Sequence, residues 1–145
     1  MQEHYEPTIQ PSMGPGPQDA KEAVILNRTI RWTESGIEYE ADPRHAEKLV
    51  AECGYAMADI NTRATPGLRL PFEQLQHDTE FPKHKHAAFR GAAARANYLA
   101  ADRLDCQFGA KEICRWMSKP TEAAWQVLKR LCRYLVGLPR MVFHY

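Results

Sequence analysis

The sequence predicts an α+β fold that is mostly α, on three observations. Residues 24–40 show strand-like alternation around a turn, and Asp42-Pro43 is a strong helix start. From Ala87 onward, apolar residues recur at helical spacing in three successive stretches. An N-terminal β-hairpin and short helix, then a three-helix bundle, is the expected architecture. At 145 residues the chain is long enough for one domain with a modest core.

Each element has a local reason. Pro7, Pro11, Pro15 and Pro17 with Gly14 and Gly16 rule out a helix or interior strand, so residues 1–21 are expected to be a disordered or irregular tail. Val24, Leu26, Ile30 and Trp32 fall on one face at period two, interrupted at Arg28, and predict a strand over Ala23 to Trp32. Thr33–Gly36 supplies a turn and Ile37–Glu40 a second strand. Asp42 caps a helix with Pro43 at its first position, and Ala46, Leu49, Val50 and Cys53 form its apolar stripe. Gly54 is placed to end it in a left-handed conformation. Residues 22–62 therefore group as hairpin plus helix, and 63–86, punctuated by Pro66, Pro71 and Pro82, as a linker.

Residues 87–145 are the expected helical region. Its first helix runs from about Ala87 to Ala101, with Phe89, Ala92, Ala93, Ala96 and Leu99 inward. A break at Arg103-Leu104-Asp105 leads to a second, about Asp105 to Met117. Pro120 opens the third, whose stripe of Ala124, Trp125, Leu128, Leu131, Cys132 and Leu135 ends at Gly137 and Pro139.

Composition narrows the function. No apolar run approaches the length of a membrane span, and Met1 to Asp19 lacks the pattern of a signal peptide. An intracellular protein, cytoplasmic or nuclear and without a membrane partner, is the expectation. Cys53, Cys106, Cys114 and Cys132 form no Cys-x-x-Cys pair and read as small buried apolar residues. Lys83-His84-Lys85-His86 could be taken for a metal site, but no carboxylate or cysteine stands near it in sequence, and a solvated basic loop is expected. Neither metal nor cofactor is expected.

The net charge of +1 conceals an asymmetry: residues 1–80 hold 7 Lys/Arg against 14 Asp/Glu, residues 81–145 hold 12 against 4. The basic half could face a polyanion, or the acidic half, or a neighbouring domain. No Asp-Asp or Asp-x-Asp pair, Gly-rich phosphate loop, Gly-x-Ser-x-Gly elbow or His-Glu-x-x-His sequence occurs, so no enzyme is legible. Asp102 and Asp105 flank the helix break, where capping and pairing with Arg103 are expected. The basic side chains offer a binding surface instead. Arg90, Arg95 and Asn97 lie on the first helix of the basic half, and Lys129, Arg130 and Arg133 on the last. Such groups can grip phosphates, and equally can form an ordinary solvated face.

An ordered series of short motifs then adds a family. Phe89-Arg90, Asn97-Tyr98-Leu99, Arg103-Leu104-Asp105, Cys114-Arg115-Trp116, Pro120-Thr121, Lys129-Arg130 and Arg133-Tyr134-Leu135 succeed one another at set spacings. The series resembles that of copia-type retrotransposon reverse transcriptases. Upstream, Gly36-Ile37-Glu38-Tyr39 and Thr65-Pro66-Gly67 are similar to the segment after the family's catalytic motif, and the likeness covers about 22–145. Leu104 departs from the family's usual Pro, and Ala94 and Arg95 replace a Gly and a small residue.

The resemblance implies that 22–62 is the end of the palm with the primer-gripping region, and 87–145 the thumb and start of the connection. The partners it implies are an RNA/DNA template–primer duplex and the missing palm, fingers and ribonuclease H domains. Magnesium would belong to the aspartates of a Tyr-x-Asp-Asp turn, which is not in this sequence. The chain alone is therefore expected to be catalytically inactive. A freestanding helical nucleic-acid-binding or interaction module, or a decayed element copy, stays open as an alternative.

Overall fold

The computed structural model describes residues 11–56, 61–71, 73–74 and 78–145, which form two compact units. One runs to Glu40 and takes in Val142–Tyr145; the other spans Ala41–Met141.

The first unit is an antiparallel meander of β1 (Glu22–Ile25), β2 (Arg28–Thr33), β3 (Gly36–Glu40) and β4 (Val142–His144), in that order. Two features differ from expectation. The strand expected over Ala23 to Trp32 is two strands, reversed at Leu26 and Asn27, whose φ of 51° and 62° give both central residues a left-handed conformation. Such a turn matches the twist of its flanking strands. Asn27 tolerates it, but Leu26 carries no turn signal, and the reversal puts Val24 opposite Thr29 and off the face of Ile30. The fourth strand comes from the C-terminus, beyond the last expected helix, and pairs Tyr39 with Phe143. Its signal is three residues long and depends on a partner a hundred positions away.

Register sorts the sheet into two faces. Ala23, Ile30, Tyr39 and Phe143 line up across the strands, with Trp32 and Ile37 beside them. Opposite them lies a charged row, in which Arg31 bonds Glu22 at 2.8 Å and Glu40 at 3.2 Å. Gly36 has φ 142°, and an added Cβ would collide with the carbonyl of Tyr145, whose oxygen accepts the Ile37 N–H at 2.9 Å. Residues 11–20 are irregular but tied: Asp19 accepts the Gly16 N–H, and the Lys21 ammonium bonds the carbonyls of Gly14 and Gly16.

The second unit holds four α-helices among the described residues: α1 (Pro43–Glu52), α2 (His86–Ala100), α3 (Gln107–Cys114) and α4 (Glu122–Gly137). Asp42 caps α1 by accepting the Arg44 N–H at 3.0 Å, while the Arg44 guanidinium bonds the same carboxylate. That hydrogen bonding leads the causes that hold Asp42 below the usual carboxylate range. Gly54, at φ 79°, follows the helix in the left-handed conformation expected of it.

Grouping α1 with the hairpin is not what the contacts give. Leu49 and Val50 are fully buried, and α1 packs on α2 and α4, because its apolar stripe matches the helical core. In α2, Ala92, Ala93, Ala96 and Ala100 let neighbouring backbones approach closely. The helix expected over 105–117 is shorter: a 3-10 turn at Leu104–Cys106, then α3 to Cys114. Lys119 precedes a proline, which disfavours helix there, and Pro120 accepts the Phe81 N–H instead of opening α4. Thr121 is the cap of α4, accepting the Ala124 N–H at 3.2 Å, and Asp78 accepts that of Ala123 at 2.8 Å.

The break between α2 and α3 is locked by a buried ion pair. Arg103, 2% exposed, bonds Asp105 through Nε and Nη2 at 2.9 and 2.7 Å. It also donates to the carbonyls of Leu138 and Pro139, and Tyr134 donates its hydroxyl to Asp105 at 2.8 Å. Burial opposes ionisation of Asp105, but the bonds from Arg103 and Tyr134 outweigh it and its carboxyl lies below the usual range. Burial and the adjacent carboxylate push the Tyr134 phenol up to about 12.

Candidate nucleic-acid interface

The six expected contact residues do not share one setting. Arg90, exposed near the start of α2, donates from Nε to the Met117 carbonyl at 2.8 Å and from Nη2 to that of Ser118 at 3.4 Å. Arg95 turns to α1, where it pairs with Glu52 at 2.8 Å. Asn97 is exposed and lines a shallow groove with Gln107 and Lys111 of α3, floored by Ala100 and Ala101. Arg90, Ala94, Asn97 and Ala101 succeed one another at helical spacing, so α2 presents a strip of small residues edged by a guanidinium and an amide.

The α4 group has a different setting. Arg130 donates to the Thr65 hydroxyl at 2.7 Å and Arg133 to the Asn61 carbonyl at 2.7 Å. The Arg63 N–H in turn bonds the Arg133 carbonyl. Both guanidiniums thus fasten the 61–65 segment along α4, a use that joins residues far apart in sequence. Lys129, half-buried, has no hydrogen bond or ion pair among the described residues.

One cluster that the spacing does not single out lies at the start of α2. Lys83, His84 and Lys85 form an exposed 3-10 turn, and Lys119 is exposed on the segment that Arg90 holds. The His86 ring approaches the Phe81 carbonyl at 2.6 Å. Among the described residues no three His, Cys, Asp or Glu side chains gather as a metal site requires, and no helix is long and apolar enough to cross a membrane. All four cysteines are free thiols, and burial pushes that of Cys106 up to about 12.

The same chain has relatives. It is 34% identical over 76 residues to the retrovirus-related Pol polyprotein from transposon RE2 of Arabidopsis thaliana, a match covering 52% of this chain and 5% of that polyprotein. To the corresponding polyprotein from transposon RE1 of the same plant it is 39% identical over 51 residues, 35% of this chain and 4% of the polyprotein. The chain is a relative of transposon Pol polyproteins. The chain is also 28% identical over 120 residues to an uncharacterized mitochondrial protein of Arabidopsis thaliana, a match covering 83% of this chain and 46% of that protein. It spans less than half the length of each. No protein-family model matches this Pol-like chain, and no solved structure does.

Proposed function

We propose that the chain is the part of a copia-type reverse transcriptase that follows the catalytic palm motif, that it helps to hold the RNA/DNA template–primer, and that by itself it does not polymerise. The observation that carries this is the outer strip of α2. Arg90, Ala94, Asn97 and Ala101 follow one another along it, so a duplex backbone can come close at the alanines while the exposed Asn97 amide reaches it. Kinship with transposon Pol polyproteins supports the reading, as does the absence of an Asp-Asp or Asp-x-Asp pair from the sequence. The purified chain should shift an RNA/DNA hybrid at low salt and release it as salt rises. It should extend no primer with magnesium or manganese. Extension would refute the inactive reading, and no shift at low salt would refute the duplex-holding one.

A second reading, a freestanding nucleic-acid-binding or interaction module, has one observation in its favour. The mitochondrial relative is a separate protein of which this chain spans nearly half. Duplex binding lost on neutralising Arg90, Lys129, Arg130 and Arg133, in a chain expressed without any other Pol segment, would favour it.

A further inference from the structure

The segments leading into α2 and α4 run side by side. Glu80 bridges Thr121 antiparallel, the Phe81 N–H donates to Pro120 at 2.9 Å, and the Glu122 N–H donates to Thr79 at 3.0 Å. In that register Pro82 falls opposite Lys119, and Lys83, the next residue, opens the 3-10 turn. Arg90 reinforces the arrangement from near the start of α2, since its two bonds hold Met117 and Ser118, just before Lys119, to the helix. Lys83, His84, Lys85 and Lys119 are all exposed along this edge.

The three lysines of this edge have no ion-pair partner among the described residues. Arg95 is paired with Glu52, Arg103 with Asp105, Arg115 with Glu112. None of Lys83, Lys85 and Lys119 has a carboxylate partner among the described residues, and the Lys85 ammonium lies 5.8 Å from the centre of the Phe81 ring. Of the nearby carboxylates, Asp78 accepts the N–H groups of Thr79 and Ala123, and Glu80 lies 3.9 Å from the His86 ring. Lysines grouped without direct ion-pair partners favour a ligand bearing several negative charges at regular spacing.

We propose that this edge, Lys83, His84, Lys85 and Lys119 with Arg90 positioning the Lys119 segment, is where the chain takes the phosphate backbone of a nucleic-acid duplex. It rests on the duplex-holding reading above, and it assigns the main charge contact to residues outside the α4 group. Lysines on flexible stems neutralise phosphates as point charges, displace counter-ions and carry no sequence preference.

The test uses the whole chain and a labelled RNA/DNA hybrid of about 20 base pairs, long enough to cover this edge. Lys83→Gln/Lys85→Gln/Lys119→Gln is compared with Lys48→Gln/Arg69→Gln/Arg115→Gln, which removes the same charge from exposed positions elsewhere. The edge variant should bind at least tenfold more weakly, with a salt slope lower by about 2–3, because each lost phosphate contact removes about 0.9. The second variant should stay within twofold of the parent, and Lys→Arg at the three edge positions should keep binding. Equal loss in both variants, or none in the edge variant, overturns the edge while leaving duplex holding intact. A parent chain that binds no hybrid at low salt overturns both.

Discussion

In the helical unit the largest fully buried side chain is charged, Arg103, whereas in the sheet unit Leu26 and Val24 are 76% and 56% exposed. The helical unit has a continuous apolar core through α1, α2, α3 and α4, so it can enclose an ion pair whose polar atoms are all bonded. The sheet is one layer. Its charged row is satisfied by ion pairs and its apolar row is at best half-buried, which leaves strand register and turn geometry to decide its stability. Damage to the two units should therefore come from different kinds of substitution. The tryptophans report on them separately, Trp32 in the sheet and Trp116 and Trp125 among the helices.

The largest effect should come from the buried pair. Arg103→Leu leaves the Asp105 carboxylate without its partner and should lower the stability of the helical unit by about 3–5 kcal/mol, read as an earlier urea midpoint for Trp116 and Trp125. Replacing both Arg103 and Asp105 with leucine should recover much of it. The same pair sets an acid dependence. The Asp105 carboxyl is depressed in the folded chain, so its contribution is complete above its unfolded value near pH 4 and fades as pH falls through the lower folded value. Arg103→Leu should remove that acid step.

The sheet responds to its backbone. Gly36→Ala places a methyl group against the Tyr145 carbonyl at a φ that side chains avoid, and should cost about 1–3 kcal/mol. Amide exchange at Ile37 and Tyr145 should speed up while the helical amides keep their protection. The smallest change should be a gain. Leu26→Asn puts a residue that tolerates the left-handed region into the turn, and should stabilise the sheet by roughly 0.5–1 kcal/mol. A loss there would mean that the exposed Leu26 side chain has an apolar contact in solution.

What was legible in the sequence was whatever is decided within a turn of chain. Asp42-Pro43 starts α1, Gly54 follows it, the break falls at Arg103–Asp105, and Gly137 ends α4. Pairings across the chain were not. β4 exists through Tyr39 and Glu40, and Arg103 is buried because α4 returns Tyr134, Leu138 and Pro139 to it. The candidate interface shows the same division. Helical spacing places Arg130 and Arg133 on an outer face of α4, but Thr65 and Asn61, 65 and 72 residues earlier, take up their guanidiniums. The segments that carry Lys83 and Lys119 are joined by a short bridge that neither local sequence announces.

Arg90, Arg95, Arg103, Arg130 and Arg133 are engaged in contacts within the helical unit, while Lys83, Lys85 and Lys119 remain for a polyanion. Lysine acetylation of the intact chain, with and without an RNA/DNA hybrid, tests it most directly. The hybrid should protect Lys83, Lys85 and Lys119 and leave Lys48 and Lys129 as reactive as before. Protection confined to Lys48 or Lys129, with the three edge lysines unchanged, would contradict it.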